Sequence, residues 1–329
     1  MPNAMMPPEW HPQDWLWIGF PHLAEEWPGF LARAQEQIAA FANAVADSGQ
    51  QVRLLVRDEA NAVRAGELVS AAVKLERHCY GDIWLRDTGP LVREDGIALR
   101  PRFNGWGEKY QMAGDETIGD DLAQSADLPI KRADYVLEGG AVDGDGTGLV
   151  VTTQQCLLNP NRNPNLSREQ IEQALHDDLG FDRVLWLGDG LINDHTDGHV
   201  DNLARFVGPG KLVIPEASGD DPNAAVYADA KRRAEAFGVE VVAIPSPGLI
   251  ERDGAAEPAS YANFAITSHL VVVPTFGSPK DDPAVTAIAQ LFPDRETLGL
   301  PADAVLAGGG GFHCASQQMP RLAAPWAAA

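Results

Sequence analysis

The feature that most constrains the fold is a series of short apolar runs that recurs along all 329 residues. Most are about four to seven residues long and rich in Val, Leu, Ile and Trp, which is typical of buried or half-buried β-strands. Turn residues separate them, and many of the glycines and prolines lie in these connections. The runs cover residues 15–20, 52–56, 83–85, 148–152, 184–187, 212–214, 239–244 and 270–274.

Helical patterns lie between some of these runs. Residues 32–46 carry apolar side chains at three- and four-residue spacing. The segment from Ser167 to Gln170 has a capping-box pattern and predicts a helix that runs to Leu179, and a third helix is expected over residues 222–237. Alternating strands and helices predict a mixed α/β fold. No low-complexity linker divides the chain, so we expect one domain over residues 1–329, with weak repetition of the strand–helix unit.

Composition restricts the classes of function. The chain has 47 acidic and 25 basic residues and a formal net charge of −22, which argues against nucleic acid as a partner. No stretch approaches the roughly 18 apolar residues of a membrane span, and no secretory signal is visible at the N-terminus. The three scattered cysteines form no disulfide framework and indicate a reducing compartment. We therefore expect a cytoplasmic protein without a membrane or nucleic-acid partner.

Two segments place carboxylates at the ends of apolar runs. In residues 82–90, strand alternation would put Asp82, Trp84 and Arg86 on one face, with Asp87 at the strand end before a turn. Read alone, Asp87 is equally compatible with a solvated carboxylate that caps this turn. Glu138 ends the run 135–138 and precedes two glycines, so it is either a buried acid in a closely packed site or part of a plain hairpin.

A third segment, residues 194–202, contains an imidazole close to carboxylates. His199 and Asp201 are two residues apart, and in a strand they would point to the same side and form an acid/base pair. Metal binding is a rival reading, because His195 and His199 are four residues apart as in zinc-hydrolase helices. Gly198 and the strand-forming run that follows disfavour a helix there. A purely structural polar turn is the remaining alternative.

A run of four glycines, residues 308–311, leads through Phe312 and His313 to Cys314. Such a run costs backbone entropy, so it indicates unusual dihedral angles or a close approach of chains. A cysteine after a glycine arch can present a thiolate to a substrate, whereas a turn with a buried thiol is the alternative. Cys79 and Cys156 lack such a setting and are expected to be packed or incidental.

Taken together and in order, seven segments resemble the agmatine deiminases of the guanidine-modifying superfamily, from about Glu9 to Pro320. The segments are 82–87, 103–107, 138–140, 159–164, 198–202, 261–264 and 308–314. The resemblance implies a five-bladed α/β propeller with pseudo-fivefold symmetry around a central substrate channel. It also implies hydrolysis of agmatine to N-carbamoylputrescine and ammonia, without a metal or an organic cofactor.

Carried over by position, the resemblance makes Cys314 the nucleophile and His199 the general acid and base, with Glu138 orienting the histidine. Asp87 and Asp201 would clamp the guanidinium, and Trp84 would pack beside the substrate. A guanidinium is a planar cation with several N–H donors, so two carboxylates suit it. The expected partner is a small cationic guanidine, and the sequence is compatible with a homo-oligomer.

The resemblance is weakest for substrate choice. Agmatine deiminases often carry Glu-Thr-Asn-Gly-His-Val-Asp where this chain has residues 195–201, so His195 replaces an acid that lies near the far end of the substrate. Asp194 and Asp197 are candidate replacements. The alternatives are therefore a deiminase of free or peptidyl arginine, which would need a cation for the substrate carboxylate, and a non-catalytic guanidine- or polyamine-binding protein.

Overall fold

The apolar runs form strands of several small sheets, as the computed structural model of residues 4–322 shows. Residues 1–3 and 323–329 of the domain predicted over 1–329 lie outside the described residues. The strands are β1 Gln13–Gly19, β2 Gln51–Val56, β3 Val73–Arg77, β4 Leu91–Val92, β5 Ala98–Arg102, β6 Ile130–Val136, β7 Asp143–Gly144, β8 Leu149–Thr153, β9 Arg183–Leu187, β10 Arg205–Gly208, β11 Lys211–Glu216, β12 Glu240–Pro245, β13 Glu251–Arg252, β14 Ala255–Ala256, β15 Ala265–Ile266, β16 Leu270–Thr275, β17 Glu296–Pro301 and β18 Ser316–Pro320.

Helices alternate with these strands, so the predicted mixed α/β architecture is confirmed. Among residues 4–322, no helix is long and apolar enough to cross a membrane. The helices are α1 Leu31–Asp47, α2 Glu59–Leu68, α3 Leu85–Thr88, α4 Gly105–Glu108, α5 Ile118–Ser125, α6 Gln154–Leu157, α7 Arg168–Leu179, α8 Val200–Leu203, α9 Ala224–Phe237, α10 Asp281–Ala289 and α11 Asp303–Leu306, with a 3₁₀ turn at Gly139–Ala141.

Five sheets share one strand pattern: an antiparallel pair followed by a parallel pair. Four of them have the orders β4-β5-β6, β7-β8-β9, β10-β11-β12 and β15-β16-β17. In the fifth, β18-β1-β2-β3, a strand from the end of the described chain pairs with one from its beginning. A helix connects the parallel strands in every case, as parallel pairing requires. This arrangement explains the repeated strand–helix unit seen in the sequence.

Helices form where the sequence supplies an apolar stripe and end caps. Helix α1 buries Ala34, Ile38, Phe41 and Val45, which are three or four residues apart and so lie on one face. In α7 the predicted capping box at Ser167 is confirmed, and Gly180 ends the helix with a left-handed backbone conformation. The ring of Phe41 packs 4.7 Å from that of Phe312, which fixes the segment before Cys314 against the core.

A short helical or turn segment precedes the first strand of each of the five sheets. These segments are α3 before β4, residues 138–141 before β7, α8 before β10, residues 261–264 before β15 and residues 311–315 before β18. They carry Asp87, Glu138, Asp201, Asn263 and Cys314 respectively. Each sheet thus contributes one segment to the candidate site described below.

The strand predicted over residues 83–85 is wrong. The backbone N–H groups of Asp87 and Thr88 donate to the carbonyl of Trp84 at 3.0 and 3.2 Å, and that of Gly89 donates to Leu85 at 2.8 Å. The chain therefore closes a helical turn and leaves no ladder for a neighbouring strand. As a result Trp84 and Arg86 do not share a strand face. Trp84 lines a cavity, whereas Arg86 reaches Gln317 and Gln318.

The strand conformation predicted around His199 is also wrong. Residues 200–203 form the helical turn α8, in which the N–H of Ala204 donates to Val200 at 2.7 Å. The strand begins only at Arg205. His199 and Asp201 still lie close to one another, but the turn and not an alternating strand brings them together.

Candidate active site

Cys314 lies at the end of the glycine arch, with its side chain buried. Asn263 holds it: the amide Nδ2 donates to Sγ at 3.0 Å, and Oδ1 accepts the N–H of Cys314 at 3.3 Å. The arch needs glycine because other groups approach it closely. A Cβ on Gly310 would lie 2.7 Å from the Trp84 ring and 3.0 Å from the Cys314 Cβ.

Asp87 is held by one donor on each oxygen. The N–H of Gly140 donates to Oδ1 at 2.9 Å, and the indole Nε1 of Trp106 donates to Oδ2 at 2.8 Å. Fixed carboxylate oxygens of this kind can receive a planar guanidinium without reorganisation. Trp106 itself has a positive φ of 53°.

Asp201 is completely buried and lies beside Cys314. Its Oδ2 is 2.7 Å from His313 Nδ1 and 3.4 Å from Cys314 Sγ. Its Oδ1 has no hydrogen-bond partner among the described residues. A buried carboxylate oxygen without a hydrogen-bond partner is energetically costly. A hydrogen-bond donor from a ligand would therefore stabilise Asp201 Oδ1.

His199 and Glu138 are completely buried next to these carboxylates. Glu138 Oε1 accepts the Arg162 Nε–H at 2.6 Å, while Oε2 and both His199 ring nitrogens have no hydrogen-bond partner within residues 4–322. His199 Nδ1 lies 3.6 Å from Asp87 Oδ1.

Gly140 shows how tightly these groups converge. A Cβ added there would lie 2.7 Å from His199 Nδ1, 2.8 Å from Asp87 Oδ1 and 3.0 Å from Asp201 Oδ2. Only a glycine fits between them. The three side chains therefore surround one point, although Asp87 lies in the segment before β4 and His199 and Asp201 lie in the segment before β10.

Burial and charge set the protonation of the site. Burial and the negative charges of Asp201 and Asp87 raise the pKa of Cys314 well above its usual value, so the resting cysteine is a thiol. Burial opposes the charged form of His199, but Asp87 and Cys156 outweigh it and raise the pKa of the imidazole well above its usual value. Burial raises the pKa of Asp201 to about 7. A cationic ligand would favour both the ionised Asp201 and the thiolate.

A cavity of about 220 Å³ opens beside Cys314. Trp84, Trp106 and Tyr110 form part of its wall, and no lysine or arginine lines it among the residues that the structure describes. The lining residues are Glu26, Asp82, Trp84, Asp87, Trp106, Tyr110, His195, Thr196, Ala307, Gly308, Gly309, Gly310 and Cys314.

A buried ionic network lies behind Asp201. His313 Nε2 is 3.5 Å from Glu9 Oε2, and Glu9 also pairs with Arg205 and, at 3.5 Å, with Arg86. Burial and the two arginines lower the pKa of His313 well below its usual value, so its imidazole is neutral. Glu9 in the N-terminal segment thus contacts Arg205 and His313, which are about 200 and 300 residues away in the chain, a separation that sequence patterns do not reveal.

The structure brings together all six side chains predicted for the site. Sequence reasoning gave no role to Arg162, Trp106, Asn263 or His313, although each lies within a recognised motif. Arg162 contacts Glu138, Trp106 contacts Asp87, Asn263 contacts Cys314 and His313 contacts Asp201. Membership of a motif was the only sequence signal that pointed to these four residues. Which site residue each of them contacts is known only from the structure.

Cys156 is packed, which is one of the two alternatives expected for it, and its place is beside the candidate site. It is completely buried and lies against His199, and the ligand atoms of Cys156, His199 and Glu138 lie within 4.8 Å of one another. This trio is the grouping of potential metal ligands found in residues 4–322, and it does not include His195, which the rival metal-binding reading paired with His199.

Neither proposed replacement for the acid at position 195 faces the cavity. Asp194 accepts from Thr196 at 2.8 Å and from Asn202 at 3.2 Å. Asp197 pairs with Arg162 at 2.7 Å and with Lys109 at 2.8 Å. His195 does line the cavity, with its Nδ1 3.2 Å from the Tyr110 hydroxyl. The expectation that Asp194 or Asp197 substitutes is therefore wrong.

Known proteins are similar over nearly the whole chain. Residues 5–320 match the family described as Porphyromonas-type peptidyl-arginine deiminase. An agmatine deiminase of Stutzerimonas stutzeri is 36% identical over 96% of this chain and 95% of its own. A solved agmatine deiminase of Enterococcus faecalis, described as catalysing its reaction, has a TM-score of 0.91 at 29% identity and covers 98% of this chain and 97% of that one. A C. jejuni agmatine deiminase, a cysteine-to-serine variant with substrate bound, has a TM-score of 0.90 at 27% identity, with 97% of both chains covered.

Proposed function

This chain belongs to the family of Porphyromonas-type peptidyl-arginine deiminases, and we propose that it hydrolyses agmatine to N-carbamoylputrescine and ammonia with Cys314 as the nucleophile. The observation that carries the proposal is the placement of the Cys314 thiol 3.4 Å from Asp201 in a cavity that also exposes Asp87. A nucleophile flanked by two carboxylates suits a cationic, electrophilic carbon.

Binding aligns the guanidinium for attack. Its N–H groups donate to Asp87 and to the free Oδ1 of Asp201, while Trp84 packs against the substrate from the cavity wall. The positive charge of the substrate offsets the carboxylates that raise the pKa of Cys314 and so favours the thiolate.

The reaction then proceeds in two halves. The Cys314 thiol loses its proton to solvent when the cationic substrate binds, and the thiolate adds to the guanidinium carbon. The tetrahedral intermediate then expels ammonia, which takes a proton from His199. An amidino group remains bound to sulfur. His199, now neutral, removes a proton from water, which attacks this carbon and releases the ureido product and the thiol.

Glu138 orients His199 and stabilises its charged form, and Arg162 holds Glu138 in place. Every proton transfer in this scheme uses a side chain of the site, so the reaction requires neither a metal nor an organic cofactor. The roles proposed for the six residues are those that the family resemblance implies, and the contacts described above support them.

We further propose that the five sheets form the blades of one pseudo-symmetric propeller domain around this site. The shared strand order and the position of the site segments before each first strand support that arrangement. The partner is a small cationic guanidine, and the free cysteines are compatible with a cytoplasmic enzyme.

The test is a comparison of substrates. Ammonia and ureido product are measured with agmatine, free arginine and an arginyl peptide at equal concentrations. The proposal expects agmatine to be preferred, because the described cavity lining offers no lysine or arginine to a substrate carboxylate. Free or peptidyl arginine turned over as well as agmatine would refute the choice of substrate.

A further inference from the structure

Two carboxylates in the cavity take no part in the reaction described above. Glu26 and Asp82 both line it together with Cys314. Glu26 is half-buried in the loop before α1, whereas Asp82 is 4% exposed and accepts the N–H of Ile83 at 2.7 Å. Neither side chain forms an ion pair with a lysine or arginine of residues 4–322. The cavity thus holds two carboxyl groups that have no cationic partner among the described residues.

Besides Asp87 and Asp201, which flank Cys314, these two carboxyl groups form a second acidic group that lines the cavity. Burial raises the pKa of Asp82 well above its usual value, and the charges of Asp115 and Glu26 add to this effect. Burial and the charges of Glu26 and Asp82 also raise the pKa of Tyr110, which places both acids near this ring. A cation at this position would relieve the repulsion.

The two acidic groups match the two charges of agmatine, a guanidinium and a primary ammonium separated by a short alkyl chain. Resting on the proposed function, we infer that Glu26 and Asp82 bind the distal ammonium and select ω-aminoalkylguanidines over arginine. The aromatic walls formed by Trp84 and Trp106 suit the alkyl chain between them. In free arginine, a carboxylate next to the ammonium would face Glu26 and Asp82 and be repelled.

This assignment also accounts for His195. The imidazole lies against Tyr110, with ring planes 25° apart, and adds no negative charge to the cavity. Glu26, in the loop at residues 21–30, supplies an acid to the same cavity in place of the one that His195 replaces.

The test compares agmatine with n-butylguanidine, which has the same alkyl chain but no ammonium. We expect Glu26→Gln to lower kcat/KM for agmatine about tenfold, mainly through KM. The ion pair between Glu26 and the substrate ammonium would stabilise the bound substrate and the transition state equally. The value for n-butylguanidine should change less than about twofold. Glu25→Gln is the matched control, since the adjacent Glu25 is exposed and does not line the cavity.

Asp82→Asn is a second variant. Like Glu26→Gln, it should lower kcat/KM for agmatine more than kcat/KM for n-butylguanidine. Asp82 is buried, so its substitution could also disturb folding of the core. Glu26 is only half-buried, and Glu26→Gln therefore tests substrate binding without that complication. Equal kcat/KM for the two compounds in the wild-type enzyme, or an equal loss for both in Glu26→Gln, would overturn the inference alone. Turnover of neither compound by the wild-type enzyme would overturn the proposed function and the inference with it.

Discussion

The ion pair between Arg162 and Glu138 allows the sharpest prediction about how the site is supported. Both side chains are completely excluded from solvent, and Arg162 Nε lies 2.6 Å from Glu138 Oε1. Arg162→Gln would leave the Glu138 carboxylate buried without its cation. Breaking a buried pair in this way costs about 3–5 kcal/mol, because the remaining charge is uncompensated.

Activity should fall as well as stability. Arg162 also binds Asp197 at 2.7 Å and the carbonyl of Thr196 at 2.8 Å, so it ties Glu138 to the segment that carries His199. Loss of this positioning should lower kcat by about 100-fold, the effect of misplacing a catalytic group by about 1 Å.

Urea unfolding and steady-state kinetics measure the two effects. Arg77→Gln is the control, because its pair with Glu59 is 3.2 Å long but the side chains are 63% and 79% exposed. An exposed pair of this kind contributes at most about 1 kcal/mol. In the double variant with Glu138→Gln, both charges are removed, and its destabilisation should be well below the sum of the single changes. The reasoning would be refuted if Arg162→Gln lowered the free energy of unfolding no more than Arg77→Gln does. It would also be refuted if the loss in the double variant equalled the sum of the losses in the two single variants.

Two further predictions concern the arch and the clamp. Gly310→Ala should lower kcat/KM by at least about 100-fold, because the added Cβ would meet Trp84 at 2.7 Å and displace Cys314, while Gly208→Ala, with no atom within 4 Å, should remain within about twofold of the wild-type value. kcat/KM for agmatine should rise through about pH 7, because burial raises the pKa of Asp201 to about 7 and only the ionised carboxylate attracts the guanidinium. Below that pH the carboxyl is protonated, and the value should fall by about tenfold per pH unit.

Each of these predictions has a clear contrary outcome. Equal activities for the two glycine variants would show that the arch does not need glycine at Gly310. A pH profile that is flat between pH 6 and 8 would mean that the ionisation of Asp201 does not limit substrate binding.

Elements with strong local signals could be predicted from the sequence. The run that became β16, the apolar stripe of α1 and the capping box at Ser167 each follow from residues that are close in the chain. Strands with polar or mixed sequences, such as β6 and β18, gave no comparable signal. Pairing of β18 with β1 joins residues about 300 positions apart, and no local pattern encodes it.

The local conformation of the site was harder to predict than its composition. Around Asp87 and His199, alternating polar and apolar residues indicated strands, yet both segments form helical turns whose carbonyls are satisfied within the turn. The candidate site residues could be proposed because seven motifs occur in the same order as in the agmatine deiminases. The contacts of Arg162 and Cys156 depend instead on which segments meet in space, as does the failure of Asp194 and Asp197 to reach the cavity.

The central claim is that Cys314 forms a covalent bond with the substrate carbon. Acid quench of the enzyme during turnover of agmatine, followed by digestion and mass spectrometry of the cysteine peptides, tests it directly. The account predicts an adduct with the mass of agmatine less ammonia on the peptide containing Cys314, and neither adduct nor turnover in Cys314→Ser. An adduct on Cys156 or Cys79, or turnover that persists in Cys314→Ser, would contradict it.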